Sequence, residues 1–313
     1  LEPKAPPPWA EHWHSLDAGT FTTKPPKRDW LIKTKADEGV FPVGRVGLLN
    51  AEGGAGKTMA LVQLALAVAT GSTWLDAFTV PQAGRVLMIL GEEDMSEVQR
   101  RLYNAGQAIP SLDTKAALAR IVALPLQGVP CAMVESDDRH NIQETAFLSW
   151  LKAKLKEEGE PWRLIIVDPR SRFAGLDAEK DNAAATRFIQ AVESIATDTG
   201  AALLVAHHTN KNARGAGAEA STGAARGSSA LTDGVRWACF LGVETLGTSD
   251  SNSGHLSRIA TFTVTKSNYA KPPPPVSVRY SENGGALVPL TDTDWEFVND
   301  ARKKAANDET RKL

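Results

Sequence analysis

The chain has 313 residues, 42% hydrophobic and 23% charged, with a formal charge of −2. That is an ordinary globular balance, long enough for one large α/β domain with extra segments at its ends. The charge carries no bulk signature of a nucleic-acid partner, and with no run of about 18 apolar residues a helical membrane span is excluded.

The two cysteines, Cys131 and Cys239, are far apart among apolar residues. They suit a reducing cytoplasm better than a disulfide framework. Residue 1 is Leu rather than Met and no signal segment follows, so the expectation is a fragment or trimmed chain of a cytoplasmic protein.

Residues 1–30 are rich in proline and tryptophan and lack periodicity, which reads as an extended arm with Trp9, Trp13 and Trp30 as packing anchors. From residue 45 the rhythm is strand, turn, helix. Apolar runs at 45–50, 85–90, 120–124, 163–168 and 202–207 predict buried strands, and amphipathic patterns at 57–70, 96–106, 141–157 and 182–199 predict helices. Uniformly apolar strands alternating with helices imply an α/β fold with a mainly parallel sheet covered on both faces. Runs at 235–244, 258–266, 276–280 and 285–290 follow without helices between them and read as antiparallel hairpins extending the same sheet. The tail from Thr291 reads as helical. The expected organisation is an arm at 1–30, one domain at 31–290 and a helical tail at 291–313.

The first strand runs into "AEGGAGKT" at 51–58. This matches the phosphate-binding pattern G-x-x-x-x-G-K-[ST] except that Ala51 replaces the first glycine. Gly53, Gly54 and Gly56 give the backbone freedom that a nest of N–H groups around a phosphate demands. Lys57 is placed to reach the β and γ phosphates, and the Thr58 hydroxyl to bind Mg²⁺. The stretch Gly53, Gly54, Ala55, Gly56, Lys57, Thr58 and Met59 is therefore the expected nucleotide-binding segment, at the N-terminus of a helix. Ala51 is furthest from the phosphates and costs little if its φ is negative.

A second acid for magnesium is expected at the end of another buried strand, and "RLIIVD" supplies Asp168. Hydrolysis also needs a carboxylate that activates water. Many AAA+-type ATPases place it directly after the magnesium Asp, where this chain has Pro169. The strand 85–90 is followed instead by Glu92, Glu93 and Asp94, and Glu93 is the expected base; a solvated acidic loop is the alternative. A guanine-reading N-K-x-D is lacking, since "NKNA" at 210–213 ends in Ala213. His207 and His208 end the strand beside the magnesium strand and are placed to sense a γ-phosphate; zinc-ligand spacing is absent around them. Between Asn210 and Ser229 the chain is nearly all Gly, Ala, Ser and Thr with Lys211, Arg214 and Arg226, which suits a loop that couples nucleotide state to a nucleic-acid backbone. Arg226 alternatively suits an arginine finger for a neighbouring subunit.

The set "GGAGKT", "GEED", "LIIVDPRSRF", "LLVAHHTNK", "ARGSSALTDGVRW" and "VTKSNYAKP" resembles the RepA-type hexameric replicative helicases of plasmids, which are relatives of the AAA_25 ATPases of phages and mobile elements. The resemblance covers about residues 30–290 and implies a RecA-like ATPase core. It implies that Lys57 and Thr58 bind ATP, Glu93 is catalytic, Asp168 holds Mg²⁺, and His207 or His208 senses the γ-phosphate. It further implies that Arg226 and Lys266 act across a subunit interface. The expected protein is an ATP-hydrolysing ring, a hexamer acting on single-stranded DNA with replication or mobile-element partners. The alternative is an ATP-dependent switch or loader that does not unwind DNA.

Overall fold

The computed structural model describes residues 9–136, 142–175, 182–209, 229–246, 256–282 and 284–310. In chain order, a short α1 (Gly19–Thr22) precedes the hairpin of β1 (Trp30–Thr34) and β2 (Gly39–Pro42), and β3 (Val46–Ala51) leads into α2 (Lys57–Thr70). Then come β4 (Phe78–Thr79), β5 (Arg85–Leu90), α3 (Met95–Gln107), α4 (Thr114–Arg120) and β6 (Ile121–Pro125). A small hairpin, β7 (Val134–Ser136) and β8 (Ile142–Glu144), precedes α5 (Ala146–Glu157), β9 (Trp162–Asp168), α6 (Arg170–Phe173), α7 (Asn182–Thr199) and β10 (Ala202–His208). The last elements are α8 (Ser229–Gly234), β11 (Trp237–Thr245), β12 (Arg258–Ser267), β13 (Val276–Tyr280), β14 (Leu287–Pro289) and α9 (Asp292–Thr310).

Nine strands form one sheet in the order β14-β13-β12-β11-β3-β10-β9-β5-β6. From β11 to β6 all neighbours are parallel, and from β11 to β14 all are antiparallel. The expected mainly parallel α/β sheet with antiparallel extension is therefore present. One detail differs. β11 is a hairpin partner of β12 on one side and a parallel neighbour of β3 on the other, so it lies directly beside the strand that feeds the phosphate loop.

The alternation of side chains along each strand separates two cores. Leu49, Val86, Met88, Leu164, Ile166 and Leu204 pack with α2 on one face. Leu48, Leu87, Ile89, Ile165, Val167 and Leu203 pack with α5 and α7 on the other. Both faces are covered, which is why these strands read as continuous apolar runs. Nearly every residue of α2 is buried. That helix has no polar stripe because the sheet and the β1–β2–β4 sheet enclose it.

Three expectations are corrected. The helix predicted from residue 141 begins at Ala146: Thr145 caps it, its Oγ1 accepting from the Leu148 N–H, and the preceding Ile142–Glu144 pairs with β7 instead. The strands β1, β2 and β4 and the helix α4 lie in stretches where no element was predicted. Trp9 and Trp13 are 72% and 88% exposed and anchor nothing on this chain, since the turns of the arm bury no residue against the domain. Trp30 is part of β1 and packs over Gly39, where a Cβ would come within 2.0 Å of its ring. No helix among the described residues is long and apolar enough to cross a membrane.

Candidate functional site

At the carboxyl edge of the sheet, β3 ends at Ala51 and α2 starts at Lys57. Gly54 and Gly56 have φ of +74° and +87°, a left-handed backbone that strains any residue with a Cβ. Ala51 is different. It is the last residue of the strand, fully buried between His208 of β10 and Leu241 of β11, with no positive φ. The position thus belongs to the sheet rather than to the loop, and nothing about its backbone requires glycine.

The loop is held from outside by the antiparallel strands. The Tyr280 hydroxyl donates to the Ala55 carbonyl at 2.9 Å, and Arg258 Nη2 donates to the Gly54 carbonyl at 2.8 Å. The Arg258 guanidinium lies over the Tyr280 ring, 5.0 Å from its centroid. Gln63 of α2 exchanges two hydrogen bonds, of 2.8 and 2.9 Å, with the backbone of Leu287 in β14. These contacts fix the loop and its helix to β12–β14 while the first N–H groups of α2, which no helical carbonyl serves, remain for an anion.

Two adjacent strands bring the acids to this loop. The Thr58 hydroxyl donates to Asp168 Oδ2 at 2.7 Å. Burial pushes the Asp168 carboxyl up, opposed by the Thr58 bond and by the Lys57 charge. β5 lies beside β9, with Leu90 opposite Asp168 and the Gly91 N–H donating to the Asp168 carbonyl at 2.8 Å. The acidic run after β5 therefore leaves the sheet next to Asp168, and each of its carboxylates has its own partner. Glu92 meets Arg172 Nε at 3.2 Å, Glu93 meets Arg101 Nη2 at 2.8 Å, and Asp94 caps α3 by accepting from the Glu97 N–H. Burial raises the Glu93 carboxyl, and Arg101 pulls it back. The solvated-loop alternative holds only for Glu92, which is half exposed, whereas the Glu93 side chain is 12% exposed.

The two histidines separate in the same way. Side chains alternate along a strand, so neighbours on β10 face opposite ways. Lys57 Nζ contacts His208 Nδ1 at 2.9 Å and the Glu52 carbonyl at 3.4 Å. Burial lowers the Lys57 pKa, against the pull of Asp168 and Glu92. His207 is buried, and its pKa is pulled down to about 3, first by burial and then by the nearby Arg170, His208 and Lys57 charges.

Gly53, Gly54, Ala55, Gly56, Lys57, Thr58, Met59, Glu93, Asp168, His207 and His208 thus gather at one edge of the sheet. Lys266 does not. It lies opposite Ala238, itself opposite Leu48, and its Nζ donates to the Asp233 carbonyl at 3.3 Å, away from the loop of its own chain. Arg226, Lys211 and Arg214 lie outside the described residues. Tyr280, Arg258, Arg101 and Arg170 were not singled out by the sequence. All four are brought in by tertiary pairing, and only the "GEED…R" spacing of Arg101 on α3, eight residues from Glu93, offers a local signal.

The AAA_25 family model, described as an AAA domain, matches residues 6–214. The chain belongs to the AAA domain family. Among solved structures, this AAA domain protein resembles a DnaB-like replicative helicase, with 13% identity and a TM-score of 0.52, covering 79% of this chain and 59% of that one. It resembles an isolated ATPase domain, with 12% identity and a TM-score of 0.52 over 79% of this chain and 85% of that one. It also resembles a KaiC-like protein of Pyrococcus horikoshii OT3, with 13% identity and a TM-score of 0.50 over 84% and 99% of the two chains. At these identities the likeness is one of fold, and the fold is RecA-like, a phosphate-loop α/β core with an antiparallel extension.

Proposed function

We propose that this AAA domain protein hydrolyses ATP with magnesium at the edge formed by β3, β9, β10 and β5. The observation that carries this reading is the Thr58–Asp168 bond of 2.7 Å beside the buried Lys57, with Glu93 leaving the next strand. A hydroxyl and a carboxylate in contact are the hard oxygen donors that Mg²⁺ takes, and the desolvated Asp168 favours a cation at its side. Magnesium, when bound by Thr58 and Asp168, neutralises phosphate charge. The loop N–H groups and Lys57 bind the phosphates. Glu93 accepts a proton from water as the water oxygen bonds the γ-phosphorus, and the bond to the β–γ bridging oxygen breaks to release ADP.

The finer reading is an assembly. Copies join as a ring, a hexamer, with ATP between subunits and with Arg226 and Lys266 acting on the neighbour's phosphates. The remoteness of Lys266 from its own loop favours a role in trans. The loop from Asn210 to Ser229, leaving β10 just past His208, moves single-stranded DNA as the nucleotide turns over. The chain then acts as a DNA motor, with residues 1–30 as an arm and 291–313 as a tail around the ATPase domain.

Replacing Glu93 by Gln tests the chemistry: turnover falls by a factor of about 10² or more while nucleotide binding persists. Normal hydrolysis by that variant removes Glu93 as base. Arg226→Ala is expected to abolish turnover and spare binding, and single-stranded DNA to stimulate turnover severalfold, with mass in solution rising to that of a ring. One observation favours a second reading, an ATP-dependent switch or loader that does not unwind. The Glu93 carboxylate is held by Arg101, a bond that must loosen before it takes a proton and that suits slow turnover. Slow turnover indifferent to DNA, with ATP-dependent assembly, decides for the switch.

A further inference from the structure

At the opposite, amino edge of the sheet three arginines converge without an acid partner. Arg45 directly precedes β3, Arg236 directly precedes β11, and Arg28 lies just before β1. The Arg28 and Arg45 guanidinium carbons are 4.4 and 5.9 Å from the centroid of the Tyr269 ring, which follows β12. Arg45, Arg236 and Tyr269 line an open cavity of about 320 Å³ closed on one side by Glu193 and Thr197 of α7. Among the described residues none of the three arginines makes an ion pair within 4 Å; Arg45 donates only to the adjacent Gly44 carbonyl at 2.8 Å. Glu193 is the one acid lining the cavity, and burial raises its carboxyl although Arg236 and Arg45 oppose the shift.

Three cations brought together against one weak counter-charge repel one another until an anion joins them. Arginine forks are built for phosphate, and the ring stacking fixes Arg28 and Arg45 in place before any ligand arrives. The six residues of β3 separate this cluster from the phosphate loop by about 20 Å, so it does not serve the nucleotide of its own chain. We propose that this cavity is a second anion site that takes phosphate groups, supplied by the backbone of single-stranded DNA crossing the amino edge. The proposal rests on the nucleic-acid reading above only for the source of the phosphate; a small phosphate ligand would meet the same arginines.

The test uses the full chain carrying Lys57→Ala, which removes phosphate binding at the loop, with and without Arg45→Gln and Arg236→Gln together. A fluorescent 20-residue oligo-dT is titrated at several salt concentrations, and pyrophosphate is titrated in a thermal-shift assay. The expected result is a loss of about tenfold or more in oligonucleotide affinity. With two phosphate contacts gone, the slope of log K against log salt falls by about 1.4. If the parent ignores oligo-dT but pyrophosphate stabilises it, and the Gln pair loses that stabilisation, the site stands with a small phosphate ligand and DNA is excluded as its source. Equal oligonucleotide affinity and salt slope in parent and Gln pair overturn the proposal, as does a parent that binds neither probe. Hydrolysis of ATP by the chain with Lys57 intact is measured separately. Its absence overturns the ATPase reading alone, while the Gln pair on that background leaves basal turnover unchanged.

Discussion

Lys57 Nζ lies 2.9 Å from His208 Nδ1, so the lysine of the phosphate loop is hydrogen-bonded to the last residue of β10. An ammonium has no acceptor, so the ring nitrogen accepts and the His208 proton is assigned to Nε2. A phosphate entering the loop competes for the same ammonium, and the chain from His208 leads straight into residue 210. His208→Ala therefore leaves nucleotide affinity within about threefold of the parent, because the lysine keeps its charge and gains freedom. Stimulation of turnover by single-stranded DNA drops towards one. A comparison of nucleotide titration with DNA-stimulated ATPase checks both, and a full stimulation in the variant removes His208 from the coupling.

Tyr280 gives a second prediction. Its hydroxyl holds the Ala55 carbonyl, and its ring backs Gly56, where a Cβ would come within 3.2 Å of it. Phenylalanine keeps the ring and deletes the bond, worth about 0.5–1.5 kcal/mol. Nucleotide affinity is expected to fall by about two- to tenfold, with far less change in kcat, because the loop is loosened before binding and not at the reacting bond. Calorimetric titration with a non-hydrolysable nucleotide reads this directly. An unchanged affinity shows that Arg258 alone keeps the loop in shape.

The third concerns pH. His207 is buried and neutral, its pKa near 3 in the fold against 6.5 in water. The unfolded chain thus binds a proton between these values that the folded chain refuses. Stability from this residue is complete above about pH 6.5 and is lost as pH falls towards 3, by up to about 1.4 kcal/mol per pH unit. Asp168 and Glu93 have raised pKa values and act in the opposite sense, losing stability as pH rises through their folded values. Melting of wild type and His207→Gln from pH 7 to pH 4 isolates the histidine: the wild type loses more stability on acidification than the variant. Parallel pH profiles for the two proteins contradict a neutral buried His207.

What the sequence made legible follows from range. The six parallel strands and the loop between Ala51 and Lys57 are readable because burial on both faces and a glycine-rich turn leave local patterns. Asp168 and Glu93 are readable because both end apolar runs. Tyr280 and Arg258 touch loop residues more than 200 positions away in sequence, and no local pattern marks such contacts. Strands β1, β2 and β4 are short and partly exposed, with irregular pairing between β1 and β2, so no strict alternation announces them. Trp9 and Trp13 show the converse: composition suggests anchors, but exposure is decided by whether the rest of the chain offers a surface.

The departure at residue 51 yields the last prediction. In the usual phosphate-loop pattern a glycine stands there, and Ala51→Gly restores it. Yet Ala51 is fully buried at the end of β3, its carbonyl accepting from the Thr209 N–H at 3.0 Å and its methyl packed in the core on the α2 face. Removing the methyl forfeits about 0.8 kcal/mol of burial. Glycine in a strand adds about 0.5–1 kcal/mol of backbone entropy. The variant is therefore less stable by about 1–2 kcal/mol. Its nucleotide affinity is unchanged, since the N–H groups that meet phosphate belong to residues after Gly53. Chemical denaturation and nucleotide titration on the same preparation separate the two effects. An Ala51→Gly protein that bound nucleotide several times more tightly would place residue 51 in the loop after all, and would mean that the alanine restrains the site.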